Sequence, residues 1–140
     1  MPHALTVVEW LLLAVAMQQI IFAAAWVAVS KLAGLARRSA RYWAVFCGLG
    51  ALAILLLALR GDIPNLLGYQ MADLLLVMSA AAGRHASELF FDQPARRIEH
   101  GAVLALAALA VALTGTAAQN EAWRVAAVCW LIAFTAARAV

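Results

Sequence analysis

The chain has 140 residues, of which 67% are hydrophobic and 12% charged, with ten Lys and Arg against seven Asp and Glu for a net charge of +3. Soluble domains run at about 45–50% apolar and about 25% charged, so a soluble enzyme core, a disordered segment and a disulfide scaffold are excluded. The composition is that of a polytopic membrane protein whose outer face is solvated by lipid. Its basic residues cluster in loops, which is a topology signal, and no nucleic acid is expected as a partner.

A membrane span needs about 20 mostly apolar residues, with about 17 as the lower limit. Five stretches qualify. The first runs from Thr6 to Val29 and carries no charge after Glu9. The second covers Tyr42 to Leu59 and ends at Arg60-Gly61-Asp62-Ile63-Pro64-Asn65. The third, from Leu66 to Gly83, holds a single acid, Asp73. The fourth extends from Gly101 to Ala118 and the fifth from Trp123 to Ala139. In hydrocarbon every backbone group must find its partner within the segment, and the alternation of a membrane barrel is absent. The expected fold is therefore an all-α membrane protein, a polytopic bundle of about five transmembrane helices forming one domain over residues 1–140.

Lys31, Arg37, Arg38 and Arg41 follow the first span, Arg84, Arg96 and Arg97 the third, and Arg138 closes the fifth, whereas only Arg60 and Arg124 lie on the opposite side. The positive-inside rule puts the N-terminus outside and the C-terminus in the cytoplasm. Tryptophan favours the headgroup level, and Trp10 and Trp123 fall at the outer boundary while Trp26 and Trp43 fall at the inner one. No Lys or Arg precedes Lys31 and the first apolar run is long, so that segment reads as a retained anchor, not a cleaved signal peptide. Val140 directly follows the fifth span, which reads as the edge of a module within a longer parent chain.

The order of features carries a resemblance. Arg41-Tyr42-Trp43 opens the second span, Leu59-Arg60-Gly61-Asp62-Ile63-Pro64-Asn65 closes it, Phe90-Phe91-Asp92-Gln93-Pro94 lies in the linker after the third, and Asn120 with Arg124 opens the last. This resembles the N-terminal multi-span sensory region of bacterial membrane-bound GGDEF-type diguanylate cyclases, in which the cytoplasmic GGDEF domain follows the last helix. The resemblance implies a bacterial inner-membrane protein that works as a homodimer. It further implies an output domain in the same parent chain that converts GTP to cyclic di-GMP. Similar helices also front histidine kinases and phosphodiesterases. The chain departs from the pattern at Asp73, where an amide is common, and in the acidic linker residues Glu88 and Asp92. It contains no Gly-Gly-Asp/Glu-Glu-Phe motif, so no GTP chemistry resides in these residues.

Asp73 is the sharpest individual feature, because a carboxylate on a spanning helix costs about 2.5–3.5 kcal/mol and calls for a partner inside the bundle. Tyr69 and Gln70 precede it by four and three residues and share its helical face. Arg60 and Arg124 start at the same boundary and can extend towards it, and Gln18 and Gln19 lie near mid-depth in the first span. Gln18, Arg60, Tyr69, Gln70, Asp73 and Arg124 are the candidate residues of an outward-facing polar pocket. Two roles fit: a structural ion pair between helices, and a ligand- or proton-sensing group.

His85, Glu88 and His100 cluster in sequence around the inner boundary, and two imidazoles with a carboxylate can bind a transition metal. Their spacing matches no recognised metal motif, so no metal, haem or other cofactor is expected. Cys47 and Cys129 lie at different depths and read as inert packing residues. Small residues at four-residue spacing (Ala44 and Gly48; Gly101 and Ala105; Ala108, Ala112 and Thr116) mark expected close helix contacts, and the Ala-rich fourth helix is expected to pack on most sides. The segment from Arg84 to His100 reads as a cytoplasmic linker, either lying in the membrane interface or touching an output domain.

No Ser/His/Asp set, His-x-x-x-His or carboxylate pair on one span is present, so no catalytic residue is assigned. The leading expectation is a membrane input module that relays a stimulus through the fifth helix. The alternative is a small oligomeric transporter or channel with a polar path around Asp73, against which stand the odd span number, the lack of an internal repeat and the placement of Pro2, Pro64 and Pro94 outside the spans. An electron-transfer subunit is a third possibility.

Overall fold

The computed structural model describes residues 6–32, 36–115 and 120–138, which form helices and connecting turns with no strand among them. Helix α1 spans Val7–Leu32, α2 Arg37–Ala58, α3 Ala72–Phe90, α4 Arg97–Thr114 and α5 Glu121–Ala137, and a π-helical turn, Leu66–Met71, runs directly into α3. Four of the helices, with the π turn and α3 taken as one, are long and apolar enough to cross a bilayer. Helix α5 has 17 residues, about 25 Å at 1.5 Å per residue, the lower end of what a span requires. The upper end of the expected fourth span, Thr116 to Ala118, lies outside the described residues.

Local chemistry sets the ends. Thr6 and Glu9 form a reciprocal cap at the start of α1: the Thr6 amide donates to Glu9 Oε2 at 2.6 Å and the Glu9 amide to Thr6 Oγ1 at 3.3 Å. Arg37 Nε donates to Ser30 O at 3.2 Å, tying the start of α2 to the end of α1. Helix α2 stops at Leu59, after which Gly61 adopts φ +106°, a conformation that glycine enters without strain.

Helix α3 is central, packing on α2, α4 and α5, whereas α1 packs chiefly on α2 and buries only Ala16 and Ser30. Where α3, α4 and α5 meet, Val77, Val103, Ala107, Val128 and Leu131 form the apolar core. The α2–α3 interface is built of small residues and hydroxyls. Ser39 Oγ donates to Ala86 O at 2.7 Å and Ser79 Oγ to Phe46 O at 2.8 Å. Both bonds satisfy hydroxyls within the bundle and need close backbones.

Within this chain, the small-residue faces expected from spacing are not the ones that pack. Gly48 is exposed, and the buried residues of α2 are Ser39, Ala40, Cys47, Gly50, Ala51, Ala53 and Ala58, without Ala44 and Gly48. On α4, Gly101, Ala105, Ala108 and Ala112 are exposed, and Val103, Ala107 and Val111 are buried, so this helix packs along one stripe. In a helix where small residues occur on every face, their periodicity does not select the contact side. Thr116 lies outside the described residues. Cys47 is buried as expected, but Cys129 is exposed on α5. Trp26 and Trp43 stack at 5.8 Å across α1 and α2.

Gly83 and Gly48 should therefore respond oppositely to a side chain. A Cβ on Gly83 would lie 3.0 Å from the Phe46 ring, while one on Gly48 would meet nothing within 4 Å. Gly83→Val should cost about 1–3 kcal/mol through overpacking, and Gly48→Ala should be neutral or stabilising by up to about 1 kcal/mol, as read by thermal unfolding in detergent.

Candidate functional site

A polar junction forms where the end of α2, the π turn, α4 and the start of α5 converge. Pro64 opens the π turn, its carbonyl accepting from the amides of Leu67 at 2.8 Å and Gly68 at 3.1 Å. Single π turns are rare and recur at functional sites. Asp73, in the first turn of α3, is buried and accepts from Arg124 Nε at 2.7 Å. Arg124 is 2% exposed and also donates through Nη1 to Gly115 O at 3.0 Å. Gly115, at φ +57°, turns that carbonyl out of the end of α4. The guanidinium thus neutralises one carboxylate and satisfies one orphaned helix-end carbonyl.

Tyr69 receives two cations. The guanidinium carbons of Arg60 and Arg124 lie 3.7 and 4.9 Å from its ring centroid, both within cation–π range. Arg60 in turn forms an ion pair with Glu121 in the first turn of α5. Gln70 reaches α4, where its Nε2 donates to Val111 O at 3.4 Å. Of the six candidate residues, Arg60, Tyr69, Asp73 and Arg124 are joined directly, and Gln70 braces the neighbouring helix. Gln18 is exposed on the peripheral helix α1, apart from this junction, because α1 turns other residues towards α2. The cluster is a set of ion pairs and cation–π contacts between helices. Glu121 escaped the sequence reading, although its place in a first helical turn, opposite an arginine-bearing loop, was the available signal.

A second polar cluster lies at the opposite end of α3. The linker expected between Arg84 and His100 is mostly helical, with α3 continuing to Phe90 and α4 starting at Arg97, and it buries Arg84 and Glu88. Arg84 Nε donates to Glu88 Oε1 at 3.0 Å and its Nη2 to Glu99 Oε2 at 2.6 Å. The second carboxylate oxygen of Glu88 faces two imidazoles: His85 Nδ1 at 3.3 Å and His100 Nε2 at 3.1 Å. The Tyr42 ring packs edge-on to His85, with centroids 4.5 Å apart. Arg138, just past α5, donates to Glu99 Oε1 at 2.8 Å. The i, i+4 spacing of Arg84 and Glu88 was a legible hint of this network. The approach of His100 and Glu99 depended on how α4 returns against α3.

Comparison with family models, with curated proteins and with solved structures finds no match to this chain.

Breaking the Asp73–Arg124 pair from one side should cost about 3–5 kcal/mol, because it strands a buried charge. Asp73→Leu and Arg124→Met should each lower the detergent melting temperature markedly. The Asp73→Leu/Arg124→Met double variant should be more stable than either single one, and additive losses would show that the pair is not coupled.

Proposed function

We propose that the chain is the membrane-embedded input module of a bacterial signalling protein of the diguanylate cyclase type. In this reading all five helices cross the inner membrane, with the N-terminus outside and the C-terminus cytoplasmic. Two copies pair, and α5 leads into an output domain in the same parent chain. The resemblance of Arg41-Tyr42-Trp43 and the Leu59 to Asn65 segment to cyclase sensory regions supports the class of output. The exposed apolar residues of α1, among them Leu11, Met17, Ile21 and Phe22, supply surface for lipid and for a second copy.

The observation that carries the reading is the buried Asp73–Arg124 pair beside a π turn. A buried ion pair adds little over apolar residues of the same size, yet strongly penalises loss of either partner. An input device needs two packings a few kcal/mol apart and a ligand or proton that prefers one of them. A ligand that competes for Asp73 or Arg124 removes one of the two ion pairs that hold the start of α5. Because α5 is also held at its far end, by Arg138 on Glu99, a tilt at one end is passed to the other.

The gene sequence beyond the Val140 codon gives the first test. An in-frame continuation into a GGDEF-type domain is expected, and an immediate stop codon would sink the proposal in this form. Topology has its own readout: alkaline phosphatase should be active when inserted between Gly61 and Asn65 and inactive when fused after Arg138. In the full parent protein, Asp73→Asn should change cyclic di-GMP output severalfold at equal protein level, and unchanged output would show that the pair is purely structural.

A further inference from the structure

The junction at Asp73 leaves the histidine cluster at the far end of α3 without a role. There one ligand atom from each of His85, Glu88 and His100 lies within 4.8 Å of the other two. An ion bound at about 2.0–2.1 Å to nitrogen and oxygen in tetrahedral geometry holds its donors about 3.3–3.4 Å apart. The two oxygen-to-nitrogen separations, 3.3 and 3.1 Å, are already of that size. The two imidazoles sit on adjacent helices with ring centroids 5.7 Å apart, and ring rotation adjusts their nitrogens to an ion.

We propose that His85, Glu88 and His100 form a binding site for a divalent first-row transition ion of the zinc or cobalt type, with a coordination position open to the neighbouring cleft. Three features support a site over a chance grouping. Glu88 is 3% exposed, and its other oxygen is held by Arg84 Nε at 3.0 Å, the outer partner that orients a ligating carboxylate. Arg84 is also bonded to Glu99 at 2.6 Å, so its guanidinium is shared between two carboxylates and leaves Glu88 Oε2 turned to the imidazoles. An entry path exists, because His85 and His100 both line a cleft of about 500 Å³ between α2, α3 and α4.

The surroundings also select the class of ion. Arg38, Arg41 and Arg97 line the adjoining cleft beside His85. Their positive potential disfavours ions that bind through charge alone. Magnesium and calcium depend on oxygen ligands and on charge, whereas zinc, cobalt, nickel and copper form bonds to neutral imidazole. Two imidazoles and a single carboxylate in a cationic neighbourhood therefore favour the second group. Sequence spacing does not predict this site, because His100 lies on α4, outside the helix that carries the other two donors.

The test uses the full chain, tag-free, in lipid nanodiscs, stripped with chelator and carrying His3→Ala so that only His85 and His100 remain of its three histidines. Cobalt(II) is the probe. One ion per chain is expected, with the visible ligand-field bands of a low-coordinate nitrogen and oxygen site, displaced by zinc and unaffected by excess magnesium. His85→Gln and His100→Gln should each weaken binding by more than about 100-fold, beyond the ~10–100-fold that loss of an outer-shell partner costs. Both variants retain an amide for Glu88, and unchanged circular dichroism and melting temperature certify the fold. If one of them unfolds, the other carries the test. Absence of stoichiometric cobalt binding, displacement by magnesium, or unchanged affinity in a folded variant would overturn the proposal. The readout is metal occupancy, so it stands or falls separately from any signalling output.

Discussion

A carboxylate inside an apolar helix bundle has to be matched by a cation, and here Asp73 is matched by Arg124, from a residue 51 positions away. The cost of burying either group alone far exceeds what any single apolar contact returns. The pair therefore dictates the rotation of α5, since only the face bearing Arg124 can turn towards α3. With that face fixed, Val128, Leu131 and Thr135 follow it into the interior, and Trp123, Trp130 and Phe134 are left outside. The same guanidinium holds Gly115 O, so it also sets where α4 ends and the chain turns back.

The opposite end of the bundle is organised on the same principle with more groups. Arg84 bridges Glu88 and Glu99, joining α3 to α4, and Arg138 brings the end of α5 to the same glutamate. Between the two charged ends lies a core of valine, alanine and leucine. Helices α3, α4 and α5 are thus clamped at top and bottom and slide only if one of the ion networks rearranges. The hydroxyl-to-carbonyl bonds of Ser39 and Ser79 attach α2 to this unit, while α1 leans on α2 from outside.

These features give the molecule a rigid middle, an exposed apolar surface and two polar ends with different chemistry. At one end ion pairs and cation–π contacts surround a π turn, an uncommon backbone form. At the other, an oriented carboxylate and two imidazoles border a cleft with basic walls. A packing change at the first end reaches the second along α3 and α5, which span both.

The apolar helical segments were legible in the sequence, since hydropathy is a local sum and Arg60, Gly61 and Pro64 interrupt it, but α2 starts earlier and α3 runs further than the apolar runs. That Asp73 must be paired was equally legible, because the burial cost belongs to the residue itself. Which arginine pairs with it was not: Arg60 and Arg124 were equivalent by depth, and the structure assigns Arg60 to Glu121 and Tyr69 and gives Arg124 to the acid. Gln18 sat at a plausible depth but on a helix face that points away. The small-residue stripes failed for a related reason, as alanine-rich helices offer close approach on every side and only the neighbouring helix chooses one. The convergence of His85 and Glu88 on His100 was likewise decided by the return of α4. Depth, charge and apolar length are properties of the chain, whereas rotation and neighbour choice come from the balance of all contacts at once, and only the tertiary structure resolves them.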